Sequence, residues 1–133
     1  MIAIKEVPLG KVDPTVDDET FEEDVVFSPD RDRVAYTIPC KNGYKVIIDG
    51  VEGKEYEEVS TPVFSPDGKH VAYAAMRSDK CLVVMDGVEG EEYDGIYTDE
   101  ENITFSPDGR RLAYLARRDN KMFLVVNREE DEI

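Results

Sequence analysis

The tetrapeptide Phe-Ser-Pro-Asp stands at three places in this chain, beginning at Phe27, Phe64 and Phe105, 37 and 41 residues apart. Self-similarity at such a period constrains the fold more than any local propensity does. Each repeat must be one structural unit that buries its faces against its neighbours. The match runs well past the tetrapeptide. An offset of 37 pairs Val34-Ala35-Tyr36 with Val71-Ala72-Tyr73, residues 49–53 with 86–90, and Tyr56 with Tyr93. An offset of 41 carries Ala72-Tyr73 onto Ala113-Tyr114 and Leu82-Val83-Val84 onto Phe123-Leu124-Val125.

Each unit reads as short strands. In the middle unit, residues 62–65 form a first strand, followed by Pro66-Asp67-Gly68, a tight hairpin in which Pro presets φ and Gly accepts a left-handed exit. Residues 69–74 give a second strand and 77–80 a polar turn. The apolar run 81–85 is a third strand buried on both faces. Residues 86–87 turn the chain, and the acidic stretch 91–97 is read as a fourth strand at a sheet edge. The same turns recur as Pro29-Asp30 and as Pro107-Asp108-Gly109, although the first carries Arg31 where the others carry Gly68 and Gly109. No segment shows helical periodicity. Four short strands in about 40 residues is the pattern of a propeller blade.

Phe64-Ser-Pro-Asp-Gly-Lys-His-Val-Ala-Tyr and Phe105-Ser-Pro-Asp-Gly-Arg-Arg-Leu-Ala-Tyr resemble the repeat of TolB-like, or WD40-like, β-propeller proteins. The resemblance runs from Val25 to near the C-terminus, and the Trp-Asp dipeptide of true WD40 repeats is absent because the chain has no Trp. It implies an all-β propeller fold and a role in protein–protein interaction, while fold by itself does not fix function.

Three blades fall short of the four to eight with which propellers typically close. The expected division is an N-terminal closing strand and acidic linker over 1–24, blades over 25–61 and 62–102, and a third blade over 103–133 lacking its outer strand. A lone wedge would leave apolar faces in water, which monomers rarely tolerate beyond a few hundred Å². The expectation is therefore a homodimer making a six-bladed ring by strand exchange. Ile2, Ile4 and Val7 of one chain would finish the third blade of the other beside Phe123 and Val125, with residues 15–21 as the alternative closing strand.

Charge narrows the partners. Lys and Arg number 16 against 31 Asp and Glu, a formal net charge of −15. Such a surplus repels a phosphate backbone and an anionic bilayer, so neither nucleic acid nor membrane is expected as a partner. No apolar run approaches the roughly 18 residues of a membrane span, and no signal peptide is visible in MIAIKEVPLG. The expected location is cytoplasmic, or periplasmic or secreted if the chain is a mature fragment. Acidic residues cluster over 13–24 and 86–102, and basic ones over 109–121. Interspersed surface charge is the plain reading, and an acidic patch for a basic partner or cations the sharper one.

Catalytic signals are weak. The single histidine, His70, falls where the other units carry Arg33 and Arg111, which marks a solvated blade residue rather than a base. Cys40 and Cys81 occupy different places in the repeat, so they read as a loop thiol and a small buried hydrophobe rather than a disulfide. Asp30, Asp67 and Asp108 recur in every unit. A catalytic pair breaks a repeat's symmetry and turn chemistry preserves it, so no enzyme and no cofactor are expected. The reading is a non-enzymatic scaffold for an unidentified protein partner. The alternative is a small-ligand or divalent-cation module using the central channel or the acidic loops.

Overall fold

The computed structural model describes residues 25–97, 103–127 and 129–132. Their regular structure is all β, in three antiparallel sheets that follow one another along the chain. The first sheet runs β1 (Val26–Phe27), β2 (Val34–Cys40), β3 (Gly43–Ile48) and β4 (Val51–Tyr56), in that spatial order. In the second, β5 (Glu58–Val59) and β6 (Val63–Phe64) both pair with β7 (Val71–Arg77), followed by β8 (Lys80–Met85) and β9 (Val88–Glu89). The third repeats this plan with β10 (Gly95–Ile96) and β11 (Ile103–Phe105) on β12 (Leu112–Arg118), then β13 (Lys121–Val126) and β14 (Glu129–Glu132).

Alternation along the strands stacks the sheets. Side chains of a β-strand point to opposite faces in turn. On β7 and β8, Tyr73, Ala75, Leu82 and Val84 pack against Val46 and Tyr56 of the first sheet. Ala72, Ala74 and Val83 pack the other way, against Leu112, Tyr114, Ala116 and Val125 of the third. The middle sheet is thus buried on both sides, which is why 81–85 reads as a continuous apolar run. Among the described residues the three sheets do not close into a ring.

The recurring tetrapeptide is a hydrogen-bonded device. In the middle unit the Ser65 hydroxyl donates to Asp67 Oδ1 at 2.5 Å and accepts from the His70 amide at 3.0 Å. Asp67 Oδ1 also accepts the Lys69 amide at 3.0 Å, and the Gly68 amide donates to the Ser65 carbonyl. The same bonds link Ser28, Asp30, Asp32 and Arg33, and again Ser106, Asp108, Arg110 and Arg111. Pro29, Pro66 and Pro107 occupy the position whose φ the ring fixes. A second device, at the same end of each sheet, ties the start of the second strand to the turn that leads into the outer strand. Asp49, Asp86 and Asn127, at φ of 52°, 51° and 48°, accept the amides of Val34, Val71 and Leu112 at 3.0 Å.

Two features differ from the sequence-based expectation, and the substituted first turn keeps the conformation of its counterparts. The first turn carries Arg31 at φ 63°, in the left-handed region that glycine occupies in its counterparts at 75° and 74°. Residues 91–97 are not one outer strand: Val88–Glu89 pairs with β8, Tyr93 bridges Cys81, and Gly95–Ile96 crosses to the third sheet. The third unit does have an outer strand, because β14 pairs with β13 from Val126↔Glu129 to Phe123↔Glu132. Its acidic sequence suits an edge, where charge discourages further pairing.

One backbone contact has a sharp consequence. A Cβ on Gly43 would lie 1.9 Å from the Tyr56 carbonyl oxygen and 2.8 Å from its carbon, both rigid backbone. Gly43→Ala is expected to lower stability by about 3 kcal/mol, since the β3–β4 ladder must separate to admit the methyl group. Urea denaturation measures it.

Candidate functional site

The repeated surfaces of this chain are its sheet junctions, and both are built from the same positions. At the outer rim, Tyr56 on β4 donates its hydroxyl to Glu89 Oε2 at 2.6 Å, and Arg77 on β7 clasps the same carboxylate at 2.8 and 3.3 Å. One junction further along, Tyr93 donates to Glu130 Oε2 at 2.6 Å, and Arg118 holds Glu130 at 2.9 and 2.7 Å. Each guanidinium also lies over the tyrosine ring, 5.9 Å from Tyr56 and 5.1 Å from Tyr93. The motif is a tyrosine of one sheet held by a Glu–Arg pair of the next. Its hydrogen bonds keep the Glu89 and Glu130 carboxyls below the usual carboxylate range. Burial, then the carboxylate bond, pushes both tyrosine hydroxyls well up.

A second contact lies at the end carrying the Ser-Pro-Asp turns. Arg33 is held by Asp49 of its own sheet at 2.8 Å, and its guanidinium sits 5.5 Å from the Phe64 ring centroid on the next sheet. His70 repeats the arrangement, with Nδ1 2.6 Å from Asp86 Oδ2 and its ring stacked on Phe105 at 6.4 Å. His70 is therefore a junction residue rather than a merely solvated one, a role consistent with its alignment with Arg33 and Arg111. Grooves of about 450 and 200 Å³ open at matching places of the two junctions, lined by Val46, Val71 and Tyr73 in one and by Val83, Leu112 and Tyr114 in the other. Their recurrence marks them as products of stacking.

The expected site residues separate into three groups. Pro29, Asp30, Pro66, Asp67, Gly68, Pro107, Asp108 and Gly109 all sit in the hydrogen-bonded turns described above. Ser28, Ser65 and Ser106 donate to the three aspartates, and with the neighbouring amides they hold those carboxyls below their ordinary value. Ile2, Ile4 and Val7, with the alternative segment 15–21, lie outside the described residues. Phe123 and Val125 belong to the interior: Val125 is buried in the core between the second and third sheets, with Phe123 packed against it beneath Arg118. With β14 along β13, that edge has no vacancy for a strand from another chain.

Of the five described carboxylates in the acidic stretch that begins at Asp86, four have a basic side chain as partner. Glu89 and Glu92 share Arg77, Asp94 takes Lys80 at 2.6 Å, and Asp86 takes His70. Among the described residues no group of three or more His, Cys, Asp or Glu side chains is placed to hold a metal ion. Cys40 ends β2 rather than sitting in a loop, Cys81 is half-buried on β8, and neither is in a disulfide.

No family model and no curated protein sequence matches this chain. Among solved structures it is similar to the β-propeller domain of the Trilobed protease from Pyrococcus furiosus, described as having an open velcro topology. The identity is 18% and the TM-score 0.48, over 76% of this chain and 38% of that one. The chain thus spans well under half the length of that neighbour.

Both carboxylates of the rim motif have lowered folded values, so their stabilisation is complete above the unfolded carboxyl range and is lost as pH falls through the folded values. Thermal stability is expected to drop below about pH 4.5. Glu89→Gln/Glu130→Gln should flatten that acid limb. In a double-mutant cycle at neutral pH, Tyr93→Phe and Glu130→Gln should couple by about 1 kcal/mol, and additive losses would contradict the contact.

Proposed function

We propose that the chain is a non-enzymatic scaffold for protein–protein interaction, a β-propeller of the TolB-like or WD40-like kind in which two copies supply six blades. One observation carries the assembly. Ala72, Ala74 and Val83 form the face of the second sheet that the third sheet covers, and they are 0%, 5% and 3% exposed. Their counterparts on the third sheet are Ala113, Leu115 and Leu124; the first two are half-buried and Leu124 is 37% exposed. A surface built to be covered by a following sheet has none within the described residues, and in the proposed dimer a second copy covers it.

The paired β13 edge moves this reading away from strand exchange and toward stacking face on face. The symmetry of the repeat speaks against catalysis. Asp30, Asp67 and Asp108 make the same hydrogen bonds, and Glu89 and Glu130 are held by the same Tyr and Arg positions. A scaffold uses such repetition, whereas an active site needs two acids in unlike environments.

Light scattering tests the assembly: a species of twice the 15.1 kDa chain mass is expected, and a monodisperse single chain at every concentration contradicts it. Leu124→Glu should yield a folded monomer, because that side chain faces solvent in the separate chain. Val83→Glu, its counterpart inside the stack, should leave the chain unfolded, because a charge there is buried without a partner. Circular dichroism beside the mass measurement separates the two.

A further inference from the structure

At the outer rim the two internal junctions share a ring contact as well as the clasp. Tyr56 and Tyr93 meet Tyr73 and Tyr114 of the next sheet edge-on, with ring centroids 6.4 Å apart in both pairs. Directly after each of these tyrosines the chain crosses to that next sheet. The Glu57 amide donates to the Met76 carbonyl at 3.0 Å, and the Asp94 amide to the Arg117 carbonyl at 2.8 Å. The offset of 37 carries these positions onto the first sheet, where Tyr36 stands for Tyr73, Pro39 for Met76, Cys40 for Arg77 and Glu52 for Glu89.

On the first sheet, the face that a preceding sheet would cover is made of Val34, Tyr36 and Ile47. They are 4%, 4% and 3% exposed, yet among the described residues no sheet lies over them, and the cluster they form takes in only Val25 and Ile38 besides. This burial belongs to a single chain, so no second copy supplies the cover. Tyr36 also shares the surroundings of Tyr73: burial first, then the nearby glutamate charge (Glu52 or Glu89), pushes each hydroxyl up. The far end of the stack is unlike this one, since Leu124 on the third sheet is 37% exposed.

We infer that the chain caps its own first sheet with the segment ending at Asp24, and that Phe21 takes the place against Tyr36 that Tyr56 and Tyr93 hold at the internal junctions. Two independent alignments select Phe21. In sequence, Phe21-Glu22-Glu23 matches Tyr56-Glu57-Glu58 and Tyr93-Asp94, an aromatic residue followed by acid. In register, β1 pairs with β2 as Val26↔Ala35 and Phe27↔Val34. The same ladder continued upstream sets residue 22 against Pro39, the position whose counterparts accept the Glu57 and Asp94 amides. The side chains around the slot suit a ring without a hydroxyl. Cys40 replaces the clasping arginine, and Glu52 is taken by Lys45 at 3.0 Å. A phenylalanine needs neither, and an edge-on pair with Tyr36 uses the geometry aromatic rings prefer. The cap lies on the face opposite to the one in the assembly proposed above and does not rest on that assembly.

Installing the full clasp tests the assignment. Phe21→Tyr supplies the hydroxyl and Cys40→Arg the guanidinium, so that with Glu52 the double variant carries the set found at the internal junctions. Thermal melts of the full chain should show the two changes coupling favourably, with the double variant melting about 4 °C higher than the two single shifts add up to. Phe21→Ala should lower the melting temperature by about 10 °C or more, equally at every protein concentration. Should that variant fail to fold, the coupling still decides. Additive shifts, or a Phe21→Ala chain that melts like the unaltered one, would mean that another segment covers Tyr36 and would overturn the inference. A coupling that appears only as protein concentration is raised would assign Phe21 to a second copy and overturn it as well. A monomeric chain with the coupling intact would remove the assembly proposed above and leave the cap standing.

Discussion

Every sheet in this chain has two apolar faces, and the fold follows from the need to cover both. Strand alternation sends Tyr73, Ala75 and Leu82 one way and Ala72, Ala74 and Val83 the other, so the middle sheet cannot be satisfied by one neighbour. Burying an aliphatic side chain is worth about 1.5–3 kcal/mol, while the exposed ion pairs around it contribute about 0–1 kcal/mol each. The apolar faces therefore decide that sheets stack, and the polar contacts decide how. Tyr56 on Glu89 and Tyr93 on Glu130 fix the outer rim, while Arg33 and His70 fix the end with the turns.

The rule that organises the interior also defines its boundary. A repeat that hands one face to its successor ends with a face and no successor. Leu124 is at that boundary, equivalent to Val83 in the repeat and unlike it in exposure. Among the described residues nothing in the third sheet departs toward a polar, capping surface of the kind that terminal units of repeat proteins use to stay soluble. The first sheet differs in its turn, where Arg31 and Asp32 replace the glycine and basic residue of the other units.

Much of the architecture is legible in the amino-acid sequence. The Ser-Pro-Asp-Gly turn is recognisable because its chemistry is local: a hydroxyl, a carboxylate and three amides within six residues determine it. The both-face burial of 81–85 is legible for a similar reason, since five successive apolar residues fit no half-solvated strand. The acidic strand β14 is not legible, because Glu129–Glu132 has no strand propensity of its own and pairs only through the β13 edge beside it. The sheet to which Gly95–Ile96 belongs is hidden too, because two residues carry no periodicity and their partners on β12 lie about 20 residues further along the chain. His70 reads as solvated because its ring contact is with Phe105, far along the chain on another sheet. The Tyr–Glu–Arg clasp is visible only in half: Tyr56 and Tyr93 align, but their partners come from the next unit in each case.

A net charge of −15 opposes the approach of two copies, so apolar burial on the open face has to exceed that repulsion. The claim that this face is covered by a second copy can be read at single strands. Amide hydrogen exchange across β12 and β13, followed as protein concentration is raised, should slow in those two strands while β7 and β8, already enclosed, stay unchanged. Exchange of the third sheet that is independent of concentration and as slow as that of the second would mean the chain covers this face alone, and would contradict the account.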